Sequence, residues 1–128
     1  MIYADSSALA KLLIAEAETA ALRSWISRQD ARLVTNSVGV VELRRLAARV
    51  GQQAAGAATV LLGRIDRLVL TPAALALAGE LPPREVRTLD ALHIASAAEL
   101  PDLQVLLTYD HRMAEAATHF GLPVESPR

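Results

Sequence analysis

A chain of 128 residues, 52% of them hydrophobic, is expected to form one globular domain across residues 1–128 and is too apolar for intrinsic disorder. No apolar run approaches the roughly 20 residues that span a bilayer, and Asp5 arrives too early for a secretory leader, so no membrane segment is expected. Lack of cysteine excludes disulfides and thiolate zinc sites and fits a cytoplasmic protein, while a net charge of −1 from 13 basic and 14 acidic residues excludes a globally basic nucleic-acid binder.

Strands and helices alternate along the chain. Ile2–Ala4 reads as a short buried strand, and Ser6 and Ser7 can cap a helix running to Ala15. A second helix fits Glu18–Gln29, and Leu33–Thr35 is the next strand. Ser37 opens a helix reaching Val50, because Val40, Leu43, Ala47 and Val50 recur at helical spacing; Gly51 ends it. Another helix covers Gln53–Gly63. Arg67–Leu70 reads as the third strand, Pro72 starts a further helix, and Leu81-Pro82-Pro83-Arg84 is a break. Thr88 caps a helix to Leu100, and Gln104–Leu107 is the fourth strand. Asp110 caps a last helix ending before Gly121, and Pro123–Glu125 forms a short edge strand. Such alternation predicts a parallel sheet with helices on both faces.

Four acids follow four of these strands. Asp5 follows the first, Glu42 lies in the helix after Leu33–Thr35, Asp90 opens the helix before the fourth strand, and Asp110 closes that strand. The carboxyl ends of parallel strands form the functional edge of an open α/β sheet. Each acid also has a purely structural reading: Asp5 and Asp110 as helix caps, Asp90 as a complement to a helix dipole. Glu42 resists that reading best, since its neighbours four residues away are Val38 and Leu46, although Arg45 at i+3 can pair with it. Four converging carboxylates without His-x-x-x-His or cysteine spacing suit Mg²⁺, with Mn²⁺ as a substitute, better than Zn²⁺. Such a cluster suits phosphodiester hydrolysis.

Supporting groups surround the quartet. Ser7 and Thr108 each stand two residues from an acid and can orient a carboxylate or water. His93, three residues after Asp90, offers a phosphate contact or a hydrogen-bonded core histidine. Arg112 and Arg45 are candidate substrate contacts; their alternative is a solvated surface, as it is for Arg44 and Arg49. Lys11 is the only lysine, so positive charge is carried by arginine, which grips phosphate bidentately. Aromatics at 3% leave no platform for base stacking.

The strings Ile2-Tyr3-Ala4-Asp5-Ser6-Ser7-Ala8-Leu9, Glu42-Leu43-Arg44-Arg45, Arg87-Thr88-Leu89-Asp90-Ala91-Leu92-His93-Ile94-Ala95 and Leu107-Thr108-Tyr109-Asp110 resemble PIN-domain ribonucleases, and the VapC toxins of type II toxin–antitoxin modules in particular. The resemblance implies a three-layer α/β/α fold with a five-stranded parallel sheet of order 3-2-1-4-5. It implies a Mg²⁺- or Mn²⁺-dependent endoribonuclease with Asp5, Glu42, Asp90 and Asp110 as the acidic quartet and Ser7 and Thr108 as supporting hydroxyls. It further implies dimerisation, an RNA substrate and inhibition by a VapB-type antitoxin. Leu12, Leu13, Leu22, Trp25 and Ile26 are expected to supply an apolar surface, part of which binds the antitoxin. Two other readings compete. A receiver-like signalling domain wants paired acids after the first strand and a late lysine, both missing here. A catalytically silent PIN-like binding module would not require an intact quartet.

Overall fold

The computed structural model describes all residues, Met1–Arg128. Its elements are β1 (Ile2–Ala4), α1 (Ser6–Leu13), α2 (Thr19–Ser27), β2 (Leu33–Asn36), α3 (Ser37–Val50), α4 (Gln52–Leu62), β3 (Asp66–Leu68), α5 (Pro72–Glu80), α6 (Thr88–Ala98), β4 (Val105–Leu107), α7 (His111–His119) and β5 (Val124–Glu125). The five strands form one parallel sheet in the order β3-β2-β1-β4-β5. No helix is long and apolar enough to cross a membrane.

Side-chain alternation along the strands divides the interior into two cores. Ile2, Ala4, Val105 and Leu107 face one way and pack with Leu9, Leu22, Leu43, Ala47 and Leu62 of α1–α4. Tyr3, Val34 and Leu106 face the other way and pack with Ile94, Ala97, Met113 and Ala117 of α6 and α7. Both faces of β1 and β4 are therefore covered, as an all-parallel sheet requires. The chain runs outward from β1 through β2 to β3, then returns to β4 on the other side of β1. The gap beyond β1 and β4 is the switch point at which ligands bind in such sheets.

Local chemistry sets the ends of these elements and corrects several sequence expectations. Asp5, rather than Ser6 or Ser7, caps α1 by accepting from Ala8 N at 3.0 Å. Asn36, not Ser37, caps α3 by accepting from Gly39 N at 2.9 Å. Thr88 lies inside α6, and Arg87 at the cap position makes no side-chain capping bond. The first helix stops at Leu13 rather than Ala15, because the Thr19 hydroxyl donates to Lys11 O at 2.8 Å and turns the chain. The third strand begins one residue early and ends at Leu68 rather than Leu70. Its partner β2 ends at Asn36, opposite Leu68, so Val69 and Leu70 have no ladder to join.

Gly39 is required by contact rather than by backbone freedom. A Cβ built there would collide with Thr35 Oγ1 and lie 3.3 Å from His93 Cε1. The missing side chain lets α3 press against β2 and α6. Gly39→Ala should be destabilising. Overpacking costs about 1–3 kcal/mol and outweighs the ~1 kcal/mol that alanine gains in helix propensity. The expected result is a lower urea midpoint with an unchanged slope; an equal or higher midpoint would show that the contact relaxes freely.

Candidate active site

Asp5 sits at the end of the central strand and is 3% exposed. Its Oδ1 accepts from Ser7 Oγ at 2.6 Å as well as from Ala8 N, and its Oδ2 accepts from Thr108 Oγ1 at 2.5 Å. Burial pushes its carboxyl above the ordinary carboxylate range, and the two hydroxyls oppose that shift. Ser7 also accepts from Tyr109 N at 2.8 Å, and Thr108 Oγ1 accepts from Asp110 N at 3.1 Å. The two serine and threonine hydroxyls thus fasten β1 and α1 to the chain leaving β4.

Asp110 caps α7, its Oδ1 accepting from Arg112 N at 2.8 Å and Met113 N at 3.3 Å. Asp90 lies half-buried in the first turn of α6. Burial raises its carboxyl above the ordinary range, and the charge of Asp110 adds to the rise. Glu42 comes from α3, and its Oε1 lies 2.7 Å from His93 Nε2. This contact, rather than the local partner Arg45, answers the polar group on an apolar stripe.

The four acids line one cavity of about 350 Å³ together with Ser7 and His93. No group of three or more His, Cys, Asp or Glu side chains is gathered there as a ready-made cation cage. The donors are nevertheless all carboxylate oxygens, the chemistry that suits a hard divalent cation.

The candidate substrate contacts fall in three different places. Arg45 lines a neighbouring cavity of about 560 Å³ that shares Glu42 and Leu89 with the acidic one. The Arg112 side chain lines a separate cavity with Glu85, Val86 and Glu115; only its backbone N meets the quartet, at Asp110. His93 is buried, with Nδ1 2.7 Å from the Tyr3 phenol oxygen and Nε2 on Glu42, so it has no free ring nitrogen to offer a phosphate. Sequence reasoning did not single out Tyr3, whose only signal was a phenol in a strand buried on both faces. It also left out Arg87 as a contact, although Arg87 is exposed at the edge of the acidic cavity.

The PIN domain family model matches residues 2–118. The chain belongs to the PIN-domain family. Within that family it is 42% identical to Ribonuclease VapC47 of Mycobacterium tuberculosis, over 99% of this chain and 97% of that protein. Two solved structures share its fold. VapC20 of Mycobacterium tuberculosis, described as a sarcin-ricin loop cleaving toxin, superposes with a TM-score of 0.78 at 21% identity, covering 99% of this chain and 100% of the other. VapBC2 from Rickettsia felis, bound to a DNA fragment from its promoter, gives 0.77 at 15% identity, covering 100% of both chains. The expected sheet order and the PIN-like three-layer architecture are those observed.

Asp90 provides a pH test of the crowded carboxylates. A group whose folded pKa is raised contributes stability that is fully present below its ordinary value, 3.8 here, and lost as pH rises through the folded value. Asp90→Asn removes that loss. The variant should melt higher than wild type at pH 7, with the gap closing as pH falls toward 3.8. Thermal melts across that range check this; a variant that melts lower at pH 7 would contradict it.

Proposed function

We propose that this PIN-domain protein is a divalent-metal-dependent endoribonuclease that acts in the cytoplasm as the toxin of a type II toxin–antitoxin pair. The observation that carries the reading is the convergence of Asp5, Glu42, Asp90 and Asp110, from separate strand-to-helix units, on one cavity. Asp5, Glu42, Asp90 and Asp110 would hold Mg²⁺, or Mn²⁺ in its place, and the repulsion felt at Asp90 is what such an ion relieves. Bound there, the ion supplies positive charge to the phosphodiester oxygens and acidifies a water.

The chain's own groups position the reaction. Ser7 and Thr108 fix both oxygens of Asp5, so this carboxylate needs no reorganisation when charge arrives. Exposed Arg44, Arg45 and Arg49 on α3, and Arg87 at the cavity edge, offer guanidinium groups to neighbouring phosphates. These local cations answer the near-neutral total charge. The ribonuclease name of the 42% identical relative supports RNA as the substrate. Products with 5′-phosphate and 3′-hydroxyl ends are expected, and cutting an RNA needed for translation would stop growth.

The proposed partner is a VapB-type antitoxin, and the chain is proposed to form a homodimer. Leu22 is fully buried and drops out of the expected antitoxin surface. Leu12, Leu13, Trp25 and Ile26 stay half-buried against the core. Leu12 and Ile26 line a cavity of about 470 Å³ edged by Arg23, Arg32 and Arg64. Trp25→Ala should weaken capture of the co-expressed antitoxin while leaving the circular dichroism spectrum unchanged. Loss of the fold would assign Trp25 to core packing alone.

Asp5→Asn tests the activity. The substitution is nearly isosteric, and it removes charge from the centre of the quartet. Positioning and charge stabilisation carry much of the rate in metal-assisted cleavage, so RNA hydrolysis should fall by at least about 100-fold. Growth arrest on expression without antitoxin should disappear with it. Equal arrest by wild type and a folded Asp5→Asn protein would assign toxicity to binding, as in a catalytically silent module.

A further inference from the structure

Behind the acidic cavity lies a buried polar line that joins three elements. Tyr3 of β1 and His93 of α6 are 0% and 1% exposed, and Glu42 of α3 ends the line at the cavity wall. Both hydrogen bonds measure 2.7 Å. The phenol and imidazole rings meet edge to face, with centroids 5.8 Å apart. A carboxylate oxygen can only accept, so the contact with Glu42 Oε1 calls for a ring proton on Nε2, while Nδ1 shares its hydrogen bond with the phenol. Every bond in the line then has one donor and one acceptor.

The surroundings hold this line tightly. Asn36 Nδ2 donates to Ser96 Oγ at 2.9 Å and ties β2 to α6 one turn beyond His93. Gly39, one turn before Glu42, lets α3 come within contact of the His93 ring. Thr35 Oγ1, buried and otherwise without a partner, lies beside the phenol. A leucine at position 93 would fill much of the same space but leave the buried Tyr3 phenol and Glu42 without this partner, so the ring is there for its hydrogen bonds as well as its bulk. What the ring adds is a directed N–H on one oxygen of Glu42. The other oxygen remains for the cavity.

We propose that Tyr3 and His93 are positioning residues for Glu42: the phenol fixes the imidazole, and the imidazole fixes the carboxylate at the cavity wall. The inference rests on the ribonuclease reading and deepens it. Strand β1 then sets two members of the quartet, Asp5 directly and Glu42 through His93. Helix α6 likewise carries Asp90 and the ring that holds Glu42. Loss of hydrogen-bonding partners behind metal-binding carboxylates typically costs about 10–100-fold in metal affinity or activity.

The test compares three variants with wild type in Mn²⁺ titration calorimetry and RNA cleavage. In His93→Gln the amide nitrogen takes the place of Nε2 and can still donate to Glu42. In His93→Asn the amide reaches only the Nδ1 position. Tyr3→Phe keeps the packing and frees the ring. Mn²⁺ affinity should fall about 10–100-fold in His93→Asn, be largely restored in His93→Gln, and fall by a smaller factor in Tyr3→Phe. Nitrogen NMR of the ion-free wild type should show His93 protonated on Nε2. Circular dichroism confirms folding; if His93→Asn fails to fold, Tyr3→Phe and the NMR signature decide. Wild-type affinity in folded His93→Asn, or in Tyr3→Phe where that variant decides, or a ring protonated on Nδ1 only, would overturn the inference alone. Wild-type protein that neither binds Mn²⁺ nor cuts RNA would overturn the ribonuclease reading and this inference with it.

Discussion

A carboxylate buried at the end of the central strand is the constraint on which the rest of the site depends. Taking Asp5 out of water is unfavourable unless its oxygens are hydrogen-bonded. Its partners come from Ser7 and Ala8 at the start of α1 and from Thr108 just after β4. Satisfying one side chain therefore fixes how the first helix leaves β1 and how the chain leaves β4. Thr108 passes the constraint on by accepting from Asp110 N, which starts α7. The raised carboxyl of Asp5 shows that these bonds do not fully offset its burial. Stability held back in this way is common where a site needs charge in a place that folding alone would leave apolar.

The same constraint explains how much was legible in the sequence. Strands buried on both faces are plain apolar runs; Asp5 and Asp110 stand just past such runs, Glu42 lies in the helix after one, and Asp90 opens the helix that leads into β4. The order of elements, and the four acids that line one cavity, could therefore be read locally. Caps were harder. Asp5 and Asn36 cap helices, but so could the nearby Ser6, Ser7 and Ser37, and propensity does not choose among neighbours one or two residues apart. The end of β3 depends on where β2 stops, which no property of Val69 or Leu70 reveals.

The partners of Glu42 and His93 were out of reach for a different reason. Arg45 was the local candidate for Glu42, yet the contact made is with His93, 51 positions away. Tyr3 and His93 are 90 positions apart. Such pairs are set by the sheet order and by the close approach at Gly39, so they appear only when the fold is assembled. Arg112 shows the opposite error. It follows Asp110 by two, but Asp110 caps α7 from extended backbone while Arg112 lies in the first turn, so closeness in sequence does not bring their side chains together. Its backbone can serve the cap while its side chain faces the cavity beside Glu85 and Glu115.

Charge distribution connects the site with its surroundings. Lys11 is bound to Glu16 and Glu18 at 2.8 and 2.9 Å, and Arg32 to Asp66, so these cations are paired within the chain. Arg45 and Arg49 instead stand exposed along α3 on the cavity that shares Glu42. A helix that presents a carboxylate to one cavity and guanidinium groups to the next places opposite charges within a few residues of each other. Over that distance screening by salt is weak, because the Debye length is about 8 Å at physiological ionic strength. The position of α3 thus governs both signs of charge at once. That position is set from beneath, by the bare Cα of Gly39 against Thr35 and His93. A helix held there by close packing can keep its carboxylate and its arginines in register with a polyanion without any large net charge on the protein.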